Sequence, residues 1–295
     1  MDTDTQLGAL TLSHTGSHDP APVISDICDA DQPMEVEHRN PRWHCRGRFR
    51  SVKSLGASAM LGVRPRRWQT SNMTTADWAE VDHYLVETLV GDGDSETLRA
   101  NAAAGLPAID VSPPQGKFLY LIAKSVRARR VLEVGTLGGY STTWLARAVG
   151  KSGQVVTLEY EPKHAEVARV NLERAGVGER VDIRVGAALD SLPVLAEEQP
   201  EPFDVVFIDA DKVNNANYVR WALRLTRPGS VIIVDNVVRN GAIADADSTD
   251  VAVRASREVI ELIAAEPRLD GTVLQTVGGK GWDGFAYAVV LGEDD

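Results

Sequence analysis

Several short stretches hold residues whose types and spacing suit chemistry. Glu133-Val134-Gly135-Thr136-Leu137-Gly138-Gly139-Tyr140-Ser141 follows a short apolar run. Its glycines would let backbone approach a ligand, and a helix behind them would offer free N–H groups. The pattern is G-x-x-G-G, not the G-x-G-x-x-G of dinucleotide binders, which weakens a pyrophosphate reading. A purely structural turn is the alternative. Glu159 stands about 24 residues beyond Gly135, followed by Tyr160 and Glu161. An acid at that place can hold the two hydroxyls of a ribose. A solvated loop carboxylate is the competing reading, and the glycine turn nearby favours a nucleoside.

Asp209-Ala210-Asp211-Lys212 and Asp235-Asn236 each follow an apolar run. If those runs are neighbouring strands, their ends lie about 5 Å apart. Asp209, Asp235 and the Asn236 amide oxygen then converge, and three hard oxygens suit Mg²⁺ or a similar cation. Without a cation the carboxylates would repel. Alternatively Asp211 and Lys212 form a surface pair and Asp235 caps a loop. Lys212, three residues past Asp209, reaches the same point. A nearby cation would drive its ammonium toward the neutral form, from about 10.4, and equip it as a general base.

These groups need elements to hold them. Helical spacing runs through Trp78, Val81, Leu85, Val86 and Leu89, and Gly91–Gly93 break it. Helices are predicted over Glu96–Ala104 and after Pro113-Pro114. Strands at 130–134, 155–159, 181–185, 203–209 and 229–235 then alternate with helices at 140–149, after Pro162, at 187–197, 215–226 and 249–265. Two last strands, 271–276 and 285–291, have no helix between them and are predicted antiparallel to each other. Alternation of this kind implies a parallel sheet with helices on both faces, whose ligands bind beyond the carboxyl ends of the strands. The glycine turn, Glu159, Asp209 and Asp235 all stand at those ends.

The chain has 295 residues, 43% hydrophobic and 25% charged, with a net charge of −11. That balance opposes a nucleic-acid backbone binder. No apolar run approaches a membrane span, and Cys28 and Cys45 make no disulfide framework. A cytoplasmic enzyme acting on a small molecule is the expectation. Residues 1–72 read differently. Eight acids and no base occupy 1–38, and nine bases without an acid fill Arg39 to Trp68. Hydrophobic periodicity is absent there, so this stretch is expected to be a disordered or spurious extension. The catalytic domain is expected over 73–295, with Met73 as a natural first residue.

Taken together, the Glu133–Ser141 stretch, Glu159, Asp209-Ala-Asp-Lys212 and Asp235-Asn236 resemble the cation-dependent O-methyltransferases, the group of caffeoyl-CoA and catechol O-methyltransferases and bacterial relatives. The resemblance spans about residues 74–291, and Asp-Ala-Asp-Lys is closer to the caffeoyl-CoA and bacterial branch. It implies a Rossmann-like, doubly wound, mostly parallel seven-stranded sheet with an antiparallel last strand. It implies S-adenosylmethionine as methyl donor, Mg²⁺ or another divalent cation, a catechol-like phenolic acceptor and a homodimer. By the same resemblance, Val111, Glu133, Gly135, Thr136 and Ser141 hold the methionine part of the donor. Glu159 holds the ribose, Ala188 lies near the adenine and Asp211 also faces the donor. Asp209, Asp235 and Asn236 bind the metal, Lys212 takes the proton and Asn240 touches the acceptor. The family's Gly-Asp-Gly before the last strand is here the longer Gly278-Gly-Lys-Gly-Trp-Asp-Gly284, to which no role is assigned. The rival classes are a nicotinamide-dependent oxidoreductase, which would want G-x-G-x-x-G and no metal triad, and a nucleoside-binding module without catalysis.

Overall fold

A computed structural model describes residues 75–198 and 201–293. The expected extension, residues 1–72, lies outside the described residues.

The chain enters through three helices, α1 (Thr75–Leu85), α2 (Ser95–Ala103) and α3 (Pro113–Ser125). The run predicted as one helix to Leu89 instead changes at Val86–Val90 into a single π turn, ended by Gly91. Ser112 starts α3 by accepting the Gln115 N–H at 3.4 Å, with prolines in the first turn, where no N–H is needed. Strands and helices then alternate: β1 (Arg130–Val134), α4 (Tyr140–Val149), β2 (Gln154–Glu159), α5 (Pro162–Arg174), β3 (Val181–Val185), α6 (Ala188–Glu198), β4 (Phe203–Ile208), α7 (Asn215–Leu225), β5 (Thr226–Asp235) and α8 (Val251–Ala265). Two long strands close the fold, β6 (Leu269–Gly278) and β7 (Gly281–Val290).

The seven strands form one sheet in the order β3-β2-β1-β4-β5-β7-β6. β1 to β5 are parallel, and β7 is antiparallel to both β5 and β6. The expected doubly wound, mostly parallel sheet is what forms. The last strands are longer than periodicity suggested, because Gly278 pairs with Gly281 across a two-residue turn. The unassigned Gly278–Gly284 stretch is therefore a hairpin tip and the start of β7. It is tied to the entry helices: Gly279 N–H donates to Asp82 of α1 at 2.7 Å, and the Lys280 ammonium bonds the Asp110 carbonyl.

Side chains alternate across the sheet, so each strand feeds two cores. Leu132, Val206 and Ile232 pack with Leu195, Val219 and Val259 from α6, α7 and α8. Val131, Val205 and Val231 pack with Leu119, Leu145 and Leu172 from α3, α4 and α5. Strand order reverses between β1 and β4, and a crevice opens beyond their carboxyl ends.

Candidate active site

A cavity of about 760 Å³ fills that crevice. It is within the usual size for a ligand pocket. Val111, Gly135, Thr136, Ser141, Glu159, Ala188, Asp209, Asp211, Lys212 and Asn236 all line it. Glu133 and Asp235 lie buried behind the wall, and Asn240 is exposed outside it.

The glycine turn is shaped by close approach. Gly135 has φ +102°, and a Cβ there would sit 2.1 Å from the Asp209 carbonyl oxygen. Only a residue without a side chain lets β1 pass the end of β4 this closely. Asp209 N–H donates to the Val134 carbonyl at 2.9 Å, which fixes the two strand ends together.

Beneath this turn Glu133 is fully buried and points toward α4. Three hydroxyls donate to its carboxylate: Ser141 at 2.7 Å, Thr142 at 2.5 Å and Thr157 at 2.7 Å. Burial pushes the Glu133 carboxyl up to about 7, against the pull of those hydroxyls. At the end of β2, Glu159 accepts the N–H groups of Thr136 and Leu137 at 3.0 and 2.8 Å, and that of Glu161 at 2.9 Å. It therefore ties the glycine turn to β2. His164, from the first turn of α5, lies 3.3 Å from its other face and lines the cavity.

The register pairs Ile208 with Val234, so Asp209 and Asp235 are the next residues of two adjacent parallel strands. Their mutual influence is electrostatic: burial first, then the Asp209 charge, raises the Asp235 carboxyl to about 7. Gln115 of α3 donates to Asp235, and the Asn236 N–H donates to Asp235 Oδ1 at 2.8 Å. Asn236 has φ +56° and faces the cavity. Asp209 carries the Lys212 ammonium at 2.9 Å. Asp211 accepts from Tyr218 Oη at 2.5 Å and Asn214 Nδ2 at 2.6 Å. Burial and the neighbouring Asp211 push the Tyr218 hydroxyl well above its ordinary range.

Among the described residues no cluster of three His, Cys, Asp or Glu forms a metal site. Asp209, Asp235 and Asn236 make a different set, two carboxylates and an amide. That set fits a hard divalent cation, because two adjacent carboxylates, one of them buried and pushed toward its neutral form, lack a compensating charge apart from Lys212.

Gln115, Thr157, His164 and Tyr218 were absent from the sequence reading. His164 stands five residues past Glu159, in the first turn of α5, and Tyr218 stands seven past Asp211. Those spacings were visible but had no meaning until the loops were placed.

Residues 87–282 match a family model described as O-methyltransferase. The chain belongs to the O-methyltransferase family. It is 59% identical over 213 residues to the catechol O-methyltransferase of Mycobacterium tuberculosis, a match covering 72% of this chain and 95% of that one. It is 49% identical over 220 residues to the catechol O-methyltransferase of Niastella koreensis, covering 74% and 100%. Among solved structures, an O-methyltransferase from Bacillus cereus in complex with SAH is 55% identical, with a TM-score of 0.72 over 74% of this chain and 100% of that one. The expected enzyme class, an S-adenosylmethionine-dependent O-methyltransferase, is borne out at this level. Neither the oxidoreductase nor the non-catalytic module finds support. No helix among the described residues is long and apolar enough to cross a membrane.

Proposed function

We propose that this enzyme moves the methyl group of S-adenosylmethionine to one hydroxyl of a small, catechol-like phenolic acceptor, with a divalent cation of the Mg²⁺ type held by Asp209, Asp235 and Asn236. The observation that carries the proposal is the shared cavity. It joins a glycine turn and Glu159 at one end to Asp209, Asn236 and Lys212 at the other. The two relatives named catechol O-methyltransferase support a catechol acceptor.

The donor's methionine part would lie over Val111, Gly135, Thr136 and Ser141, with Glu133 beneath. Its ribose would meet Glu159, its adenine Ala188, and Asp211 would face it from β4. S-adenosylmethionine supplies an electrophilic methyl when bound, and the cation supplies positive charge that favours an ionised acceptor hydroxyl. Lys212, once its ammonium has given up a proton beside the bound cation, would take the hydroxyl proton at Nζ. The oxygen–carbon bond forms as the sulfur–carbon bond breaks, so S-adenosylhomocysteine leaves with both electrons of that bond. The cavity wall would hold the two reactants in line, and positioning would supply much of the rate. Asn240 would meet the acceptor only from the rim, since it stands outside the cavity wall.

The test is methyl transfer from labelled S-adenosylmethionine to catechol, with Mg²⁺ and after EDTA. Transfer that requires the cation supports the proposal, and full-rate transfer in EDTA overturns the cation assignment. A homodimer is proposed with it. Exposed Val81, Tyr84 and Leu89 near the entry helices supply apolar contact area, and light scattering at the monomer mass would refute it.

A further inference from the structure

The loop after β5 holds three non-glycine residues in the left-handed region: Asn236, Arg239 and Asn240, at φ 56°, 55° and 52°. Such backbone persists where its surroundings over-determine it. Here β7 does so. The Asp283 carboxylate accepts the N–H groups of Val238 and Arg239 at 3.0 and 2.9 Å, and that of Gly284 at 2.9 Å. The Trp282 indole lies against Gly241, where a Cβ would sit 2.4 Å from the ring and where φ is +81°. Trp282 is itself held by a bond from Nε1 to Gln275 at 3.0 Å. The hairpin thus clamps the loop on two sides.

The clamped loop presents two side chains to the cavity, Asn236 and Arg239. Asn236 is already accounted for. Arg239 is not, and its electrostatic state differs from the other cavity bases. Lys212 is paired with Asp209 and His164 with Glu159. The Arg239 guanidinium has no carboxylate or hydrogen-bond acceptor among the described residues; Arg239 bonds Asp283 through its backbone N–H. Acids outnumber bases 34 to 22 over residues 73–295, so a spare guanidinium in the cavity runs against the field of the chain. Its place also separates it from the donor. The glycine turn follows β1 and Arg239 follows β5, with β4 and Asp209 between them. Arg239 therefore faces the acceptor end, beside Asn236 and Lys212.

A planar guanidinium at a cavity wall can bind planar oxyanions in two-pronged fashion, and here the backbone that carries it is clamped. We propose that Arg239 binds a carboxylate carried by the methyl acceptor. The preferred substrate class is then a vicinal dihydroxyaryl acid rather than a neutral catechol. The proposal rests on the catechol-like reading of the acceptor given above. A phosphate on a larger ester carrier has related chemistry, and the test separates the two.

Initial rates with a vicinal dihydroxybenzoic acid, its neutral methyl ester and its coenzyme A thioester give the preference directly. The wild-type enzyme is expected to favour the acid over the methyl ester. Arg239→Gln is expected to lower the acid-to-ester ratio of kcat/KM by roughly ten- to a hundredfold, mainly through KM. Arg239→Lys should retain part of the preference, and Arg239→Glu should reverse it. Thermal melting of each variant checks that the fold is kept. An unchanged ratio in Arg239→Gln overturns the proposal, and so does an Arg239-dependent preference for the thioester. If the wild type methylates none of the three, the catechol reading fails. Calorimetric binding of the acid and its methyl ester then judges Arg239 separately. A binding advantage for the acid that Arg239→Gln removes supports the assignment, and no advantage in the wild type ends it.

Discussion

Nζ of Lys212 lies 2.9 Å from Oδ1 of Asp209, three residues back in the same loop, with both side chains largely shielded. The proposed base and the proposed metal ligand are thus in direct contact, and each modifies what the other can do. Lys212→Ala is expected to lower kcat by roughly 10²–10⁴, the usual worth of a general base. The deficit should shrink at high pH, where the phenol ionises unaided. Mg²⁺ binding by calorimetry should survive, because the carboxylate remains. A pH-independent deficit would remove Lys212 from the proton transfer.

The cation makes a second prediction, with a definite sign. Burial and Asp209 hold the Asp235 carboxyl at about 7. A cation favours the ionised form, so its binding releases a proton below that pH and tightens as pH rises toward 7. Mg²⁺ titration in two buffers of different ionisation heat measures the release. Asp235→Ala should abolish cation binding and methyl transfer while keeping most S-adenosylmethionine affinity. An equal loss of donor affinity would show that Asp235 props up the whole cavity instead.

Glu133 contributes to how the cation-free protein responds to pH. Its carboxyl is raised to about 7 from an ordinary 4.5. Between those values the folded state holds more protons than the unfolded state, so unfolding free energy falls as pH rises. The stabilisation is complete below about 4.5 and lost through about 7. Asp235 acts in the same direction. Melting curves at pH 5 to 8 should therefore show a decline, and Glu133→Gln should make it shallower while weakening donor binding. An unaltered slope in that variant would place the titration elsewhere.

Gly135→Ala tests the meeting of β1 and β4. The new Cβ would stand 2.1 Å from the Asp209 carbonyl oxygen, at a φ that disfavours any side chain. A loss of roughly 2–4 kcal/mol is expected in urea unfolding. S-adenosylmethionine binding should fall with it, since Gly135 lines the cavity. Wild-type stability would mean that the strand ends can separate at little cost.

A chain beginning at Met73 is expected to keep its melting temperature and its methyl transfer. Every residue assigned to the cavity lies between Ile109 and Arg239. The family match begins at residue 87. Failure of that shorter chain to fold would assign residues 1–72 a structural role.

The strand–helix alternation, the parallel sheet and the clustering of chemistry at strand ends were determined by the sequence alone. Apolar runs such as Val131–Val134 and Phe203–Ile208 can be buried on both faces only inside a covered sheet, and Gly135 and Asp235 then fall at their ends. Local spacing also placed Asp209 beside Lys212. Strand order was beyond local spacing, because it depends on which runs pair across long separations. Only the tertiary structure put β4 between β1 and β5, and so made neighbours of Asp209 and Asp235. It also lengthened β6 and β7, since hairpin pairing extends through residues that carry no periodic signal. Arg239 shows the division plainly. Its place in Arg239-Asn240-Gly241 could be read directly, but the backbone that brings it to the cavity is held by Asp283 and by Trp282 against Gly241, from a strand more than forty residues away. Contacts across that distance are set by packing, and no local pattern encodes them.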